Sequence, residues 1–370
     1  MTEPTSLPIF LLISIVKIAV VLVITLTAVA YTVLLERKVL GRMQNRWGPS
    51  RVGPFGLLQP LADGIKLFLK EDMMPLAVER PLFVLAPIIA LGCALISIAV
   101  VPFGATYLYK GVDITQIANV NVGLLVVLGV TSIGVYGIAL SGWSSNNKYS
   151  LFGSLRATAQ VISYELALGL SLVGVVMRAG SLNLRHIVAS QSAHGALSWN
   201  IFGGLAREDR GNGAIWVIVG GFQIIAFFIY LMSAYAETNR SPFDLPEAES
   251  ELVAGYHTEY SSMKFAMFFM AEYANMITVA CVATLMFFGG SSSFFGHAFD
   301  SYFNGPIAQV IFSIFWFVFK ILAFILLYIW VRATLPRFRY DQLMSFGWKF
   351  LLPVAMINIL ATALALAYHG

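Results

Sequence analysis

Charged residues are scarce in this chain. They make up 11% of its 370 residues, whereas hydrophobic residues make up 58%; a soluble domain has about 25% charged residues. Apolar runs of about 20 residues recur along most of the length, each long enough to cross a hydrocarbon core of about 30 Å as a helix. Barrel strands would be shorter and would alternate in polarity. The sequence therefore predicts an all-α integral membrane protein with about eight transmembrane helices, forming one polytopic domain over residues 1–370.

Potential metal ligands are also few. The only two cysteines, Cys93 and Cys281, each lie inside an apolar run, and the five histidines are scattered without metal-ligand spacing. We expect this chain to bind no metal, haem or iron–sulfur centre of its own. The net charge of +4 is small and is spread over several loops, which argues against nucleic-acid binding.

The apolar runs predict eight spans, and their basic flanks predict an orientation. The spans lie near 8–34, 82–103, 121–141, 155–177, 213–236, 262–288, 307–331 and 347–367. Sixteen of the 23 Lys and Arg residues flank or occupy the loops near 36–81, 142–154, 237–261 and 332–346, and five lie on the opposite side. Because basic residues favour the cytoplasmic side, we expect those loops in the cytoplasm and both termini on the periplasmic side of a bacterial inner membrane.

The first cytoplasmic loop contains a segment with helical amphipathicity. Between Gly56 and Lys70, six apolar residues recur at helical spacing, with Asp63 and Lys66 between them. Such a helix would lie in the membrane interface. A helix that packs beneath the bundle as a structural support is an equally good interpretation, and the two are compatible.

A few ionisable residues fall inside the predicted spans. Glu165 and Glu272 each lie about ten residues into a span, which is roughly 15 Å deep at about 1.5 Å per residue. An intramembrane carboxylate costs about 2.5–3.5 kcal/mol on insertion scales and needs a partner, water or a proton. Lys17 and Lys320 are the available intramembrane counter-charges. We favour a buried proton relay over a structural ion pair that fixes helix register.

The loop after the fifth span concentrates acidic residues. Within 237–251, Arg240 is the single basic residue among five acidic residues. These are Glu237, Asp244, Glu247, Glu249 and Glu251. In a low-dielectric site such carboxylates cannot all ionise, and protons could be held or passed at neutral pH; in open water they would form an ordinary solvated face. Two prolines stiffen the loop, which runs on into the span that carries Glu272, and both features favour the first interpretation.

Signs of independent catalysis are lacking. The sequence has no phosphate-binding glycine loop of the required form, no strand–helix context for a dinucleotide fold and no nucleophile–base pair justified by spacing.

Five ordered motifs carry a resemblance to a known family. They are 36–66 (ERKVLGRMQNRWGPSRVGPFGLLQPLADGIK), 237–251 (ETNRSPFDLPEAESE), 152–165 (FGSLRATAQVISYE), 268–273 (FFMAEY) and 332–344 (RATLPRFRYDQLM). Together they resemble the H subunit of bacterial complex I, the proton-translocating NADH:quinone oxidoreductase of the respiratory chain, whose mitochondrial counterpart is NADH dehydrogenase subunit 1. The outward stretches 178–212 and 291–305 are longer than the family pattern, on the side away from the motifs.

The resemblance implies a place in a larger enzyme. In that family the cytoplasmic loops dock the iron–sulfur peripheral arm, a tunnel between them admits quinone from the bilayer, and other membrane subunits, including antiporter-like ones, lie alongside. The residues expected to line or support the tunnel are Arg37, Arg46, Asp63, Phe243, Asp244 and Arg332. Glu165, Glu237 and Glu272 would begin a polar axis, and the loop acids Glu247, Glu249 and Glu251 would couple quinone reduction to protonation. FMN, the iron–sulfur clusters and the quinone head-group ligands would belong to partner chains, so this chain alone would be inert.

Two other functions remain open from the sequence. A stand-alone ion transporter could use the intramembrane charges, but the chain shows no internal repeat of the kind common in transporters. The homologous membrane subunit of an energy-converting hydrogenase would be a scaffold without quinone; the complete first-loop motif favours the quinone-dependent enzyme.

Overall fold

The computed structural model describes residues 7–109, 112–192, 195–203, 213–244, 254–296 and 305–368. Eight helices in this part of the chain are long and apolar enough to cross a membrane, which confirms the predicted all-α membrane fold. In chain order the helices are α1 (Leu7–Met43), α2 (Gln59–Leu69), α3 (Arg80–Ile98), α4 (Gly123–Ser144), α5 (Lys148–Ala179), α6 (Leu184–Ala189), α7 (Gly213–Glu237), α8 (Ser262–Phe287), α9 (Pro306–Thr334), α10 (Tyr340–Phe346) and α11 (Leu352–Ala367). A π-helical turn, Gly347–Leu351, joins α10 and α11 into the eighth span.

Several helix ends follow from local sequence chemistry. The Asn147 side chain caps α5 by accepting a hydrogen bond from the Tyr149 amide at 3.0 Å. Helix α5 ends at Ala179 and is followed by Gly180, whose φ of +65° suits glycine. Pro306 is the first residue of α9. The first N–H groups of a helix have no partner within the helix, so the N–H that proline lacks costs no hydrogen bond there. Helices α1 and α5 extend well beyond their predicted spans, because polar and charged turns continue them past the apolar core.

The bundle has two ends, which we name after their short helices. At the α2 end, the Ser262 hydroxyl at the start of α8 donates to the carbonyls of Leu67 and Lys70 at 3.0 and 2.9 Å. At the α6 end, a hairpin of β1 (Leu108–Tyr109) and β2 (Val112–Asp113) lies close to α1. Every residue from Met276 to Phe287 of α8 is buried, so this helix occupies the centre of the bundle.

Helix α1 lies at the periphery. Most of its apolar side chains, such as Leu12, Ile15 and Val23, are exposed on the isolated chain. A helix that is apolar on its exposed face is typical of a membrane span that contacts lipid or neighbouring membrane helices.

The amphipathic segment predicted in the first loop is a helix, α2. It packs against α1 and α8, yet none of its residues is buried. Leu61, Phe68 and Leu69 are exposed. These contacts support both interpretations of the segment, because α2 is tied to the bundle and still presents an apolar face for the membrane interface.

Helices α3 and α4 pack closely at Gly137, and this contact gives a first testable prediction. A Cβ at Gly137 of α4 would lie 2.9 Å from the Ala86 carbonyl oxygen, from the Ala90 Cβ and from the Ala90 amide nitrogen, whereas one at Gly129 of the same helix would meet nothing within 4 Å. We expect G137A to destabilise the protein by about 1–3 kcal/mol through overpacking. The matched control, G129A, should not destabilise the protein, because its methyl group meets no neighbouring atom. Thermal aggregation midpoints of the detergent-solubilised variants measure this, and equal midpoints would contradict the α3–α4 packing.

Candidate functional site

A buried arginine lies at the centre of the α2 end. Arg240 follows α7, and its side chain is 9% exposed. Its Nη1 is 3.9 Å from Glu36 Oε1 of α1, and its Nη2 is 3.6 Å from Glu272 Oε2 of α8. The guanidinium carbon lies 4.1 Å from the centroid of the Tyr273 ring, within range of a cation–π interaction. The loop after α7 thereby places one positive charge between two carboxylates from different helices.

Glu36 has further partners that hold its charge. The Tyr273 hydroxyl donates to Glu36 Oε2 at 2.7 Å, and Arg332 at the end of α9 forms an ion pair with Glu36 Oε1. The Glu36 side chain is 6% exposed. Two arginines and a phenol around one buried carboxylate compensate for its loss of hydration.

Glu272 is contacted from the segment that precedes α8. The Tyr256 hydroxyl donates to Glu272 Oε1 at 2.9 Å, and His257 Nε2 lies 3.7 Å from the same oxygen. Both Tyr256 and His257 are buried and belong to a single 3₁₀ turn, Gly255–His257. The Glu272 carboxylate therefore contacts Arg240 on one side and an imidazole and a phenol on the other.

Asp244 lies at the other end of the Arg240 loop. Its Oδ2 accepts a hydrogen bond from Arg337 Nη2 at 3.0 Å. Burial raises the pKa of the Asp244 carboxyl to about 6, against the opposing charges of Arg337 and Arg240. The adjacent Phe243 ring stacks on Phe338 at a centroid distance of 5.6 Å. The loop contains a cis Ser241–Pro242 peptide bond.

A large cleft opens beside this cluster. It has a volume of about 520 Å³ and lies between α1, α2 and α8. Arg37 and Asp63 form an ion pair of 2.6 Å in its wall, and Gln59 donates to Asp63 at 2.8 Å. Tyr273, which bonds to Glu36, also lines the cleft. The cleft thus leads from the exposed apolar faces of α1 and α2 to a residue of the buried ion cluster.

A second, much smaller cavity connects two of the carboxylates predicted from sequence. It has a volume of about 40 Å³, and both Glu237 and Glu272 line it together with Thr131, Asn275 and other residues of α3, α4, α5 and α8. A polar cavity of that size has room for ordered water. Glu165 accepts a hydrogen bond from the Ser132 hydroxyl, and Val161, one helical turn before it on α5, lines the same cavity as Glu237. Glu165, Glu237 and Glu272 therefore form a spatial series.

The two intramembrane lysines do not serve as counter-charges for these carboxylates. Lys17 Nζ donates to the carbonyls of Asp113, Gln116 and Ile117 at 2.8–3.1 Å. Lys320 Nζ donates to three carbonyls of the turn after α8, at 2.7–2.9 Å. Both ammonium groups lie at the α6 end. The expectation that they neutralise Glu165 and Glu272 is wrong, because backbone carbonyls hold them and Arg240 has the role at Glu272.

The other candidate residues divide into three groups. Arg37, Asp63, Phe243, Asp244 and Arg332 lie in or beside the cluster or the large cleft. Arg46 is exposed, and its Nε donates to Gln44 at 2.7 Å. Glu247, Glu249 and Glu251 lie outside the described residues. Within the described ranges, no group of three or more His, Cys, Asp or Glu side chains could hold a metal ion.

Sequence reasoning missed Glu36, Tyr256, His257 and Tyr273 as site residues. Glu36 follows the first apolar run directly, and a longer estimate of the first helix would have placed it at membrane depth. His257 showed no metal spacing, but it lies between the acidic loop and the span of Glu272.

The fold and the cluster define a class: a polytopic membrane protein with a cluster of buried, paired charges at one end of the bundle, beside a cleft bordered by exposed apolar side chains. The profile of the family described as NADH dehydrogenase matches residues 16–363. The second of the H subunits of NADH-quinone oxidoreductase from Koribacter versatilis is 60% identical over 98% of this chain and 99% of the relative. The H subunit of NADH-quinone oxidoreductase from Thermomicrobium roseum is 49% identical over 93% of each chain.

A third relative, the first of the H subunits of NADH-quinone oxidoreductase from Geobacter sulfurreducens, is 47% identical over all of this chain and 99% of its own. The chain belongs to the family of H subunits of the NADH-quinone oxidoreductases. The family resemblance found in the sequence motifs is thereby confirmed.

The raised pKa of Asp244 gives a second prediction. Its folded-state pKa of about 6 exceeds the ordinary value of 3.8, so the proton is bound more tightly in the folded state. This stabilisation is present at low pH and is lost as pH rises from about 4 through about 6. D244N keeps a neutral side chain at every pH. We expect the thermal midpoint of D244N minus that of the wild type to increase over that interval and then level off. A constant difference would contradict the burial-raised pKa.

Proposed function

We propose that this chain forms a wall of the channel through which quinone leaves the bilayer, within a proton-translocating NADH-quinone oxidoreductase. In this proposal the α2 end faces the cytoplasm and contacts the iron–sulfur peripheral arm, and both termini lie on the periplasmic side. The names of the relatives support an enzyme of this class. Partner chains would supply FMN, the iron–sulfur clusters and the ligands of the quinone head group.

The observation that carries the proposal is the position of the large cleft. Exposed apolar side chains of α2, such as Phe68, line it on one side, and Tyr273 lines it beside the buried ion cluster. A quinone has an apolar tail and a polar ring. An apolar mouth that leads to a polar interior matches both parts of that molecule. Arg37 and Asp63 would support the mouth, while Phe243, Asp244 and Arg332 would support the inner end, and Arg46 would face the peripheral arm.

The carboxylates behind the cleft would perform the coupling. Glu272 contacts Arg240 and also lines the small cavity that reaches Glu237, and Glu165 lies one helical turn beyond Val161 in the wall of that cavity. A change in charge at the quinone site would alter the balance around Arg240, and a proton could then move along Glu272, Glu237 and Glu165 toward the neighbouring membrane subunits. The loop acids Glu247, Glu249 and Glu251 would receive protons on the quinone side. Carboxylates that share a low-dielectric region exchange protons because they cannot all ionise together.

The channel is tested by narrowing its wall. Met270 of α8 lines the cleft, and we expect M270W in the assembled enzyme to raise KM for a long-tailed quinone by about three-fold or more, with kcat little changed. M356W is the matched control, because Met356 is exposed on α11 outside the cleft. NADH oxidation with a hydrophilic acceptor should stay at the wild-type rate in both variants. An unchanged KM in M270W would contradict the placement of the channel.

The coupling route is tested by neutralising its carboxylates. E165Q and E272Q should each lower quinone-linked turnover and proton pumping in proteoliposomes, because an amide cannot release the proton that the route requires. S132A is the control, since it removes the hydroxyl that donates to Glu165 but keeps the carboxylate; its effect should be smaller than that of E165Q. Wild-type rate and proton stoichiometry in both glutamine variants would remove these residues from the route.

A further inference from the structure

Two buried side-chain amides at the α6 end of the bundle lack hydrogen-bond partners among the described residues. They belong to Gln223 of α7, which is 0% exposed, and Asn358 of α11, which is 3% exposed. The nitrogen and the oxygen of both amides are without a partner in the described part of the chain. A buried polar group left without a hydrogen bond is destabilising, and these two amides together hold four such atoms.

Helix α5 packs against α7 and α11, the two helices that carry these amides. A Cβ built on Gly174 of α5 would lie 3.2 Å from Gln223 Nε2, and 3.6 Å from Thr362 Oγ1. Thr362 is one helical turn beyond Asn358, and its hydroxyl donates to the backbone carbonyl of Asn358 at 2.8 Å. The space that the missing side chain of Gly174 leaves is therefore bordered by polar groups of α7 and α11.

The hydroxyls around this space can still accept hydrogen bonds. Thr362 donates to the backbone carbonyl of Asn358. Ser171, three residues before Gly174 on the same face of α5, donates its proton to the Leu168 carbonyl at 2.6 Å. Each hydroxyl proton is thus engaged, while the oxygens remain acceptors. Amide N–H groups, amide oxygens and hydroxyl oxygens together offer both the donors and the acceptors that a buried water requires.

We propose that Gln223 and Asn358 bind internal water between α5, α7 and α11. The site is separate from the carboxylate series, because Gly174 lies nine residues beyond Glu165 on α5, a distance of about 13 Å at 1.5 Å per residue. It does not depend on the proposed coupling function. Water there satisfies the two amides, and through them it joins three membrane helices at a level where lipid offers no hydrogen bonds.

The test uses water-resolving electron cryomicroscopy of the assembled enzyme. We expect solvent density within about 3.5 Å of both side-chain amides. A direct hydrogen bond between the two amides, or an empty space between them, would overturn the proposal from the wild-type map alone.

Two alanine variants of α5 extend the test. G174A would place a methyl group in the space beside Gln223, whereas a Cβ at Gly169 would meet nothing within 4 Å. Both substitutions replace glycine by alanine in α5 and so gain the same helix propensity. We expect G174A to lose the solvent density and to have a lower thermal midpoint than G169A, which should keep the density. If G174A and G169A showed the same solvent density and the same thermal midpoint, a water site beside Gly174 would be contradicted.

Discussion

A single guanidinium between two buried carboxylates governs the arrangement of the α2 end. Glu36 and Glu272 come from different helices, and each would be costly to bury without a compensating charge. Arg240 lies within 4 Å of both, and the Tyr273 ring lies beneath it. Removing any one of these charged side chains would leave a buried charge uncompensated. The ion pairs therefore fix the relative positions of α1, α8 and the loop after α7.

The other features of the site follow from this arrangement. Arg332 pairs with Glu36 and so fixes the end of α9, while Arg337, five residues further on, reaches Asp244 at the end of the Arg240 loop. Tyr273 belongs both to the ion cluster and to the wall of the large cleft. Glu272 belongs to the cluster and to the small cavity that Glu237 lines. The proposed quinone channel and the proposed proton route therefore meet at the same few side chains, which is the physical basis for coupling them.

Continuous apolar runs were sufficient to predict the eight spans, and helical spacing of apolar residues was sufficient to predict α2, because both signals lie in the local sequence. The family motifs predicted Arg37, Asp63, Asp244 and Arg332 as channel residues, and these four lie in or beside the ion cluster or the large cleft. Pairing was harder to predict, since it depends on how distant segments pack. Lys17 and Lys320 looked like counter-charges by depth alone, yet carbonyls at the α6 end hold both. Glu36 and Arg240 are separated by about 200 residues in sequence. Their pairing could not be predicted from the residues around either one.

The most direct test of the Arg240 cluster is a set of thermal midpoints for the assembled enzyme. R240M should destabilise it by about 3–5 kcal/mol, because two buried carboxylates lose their shared cation. Replacing Glu272 by its amide in the same chain, as R240M/E272Q, should recover part of that loss, because Glu36 keeps its ion pair with Arg332 and Glu272 no longer carries a charge. An R240M variant as stable as the wild type, or a double variant no more stable than R240M, would contradict the account.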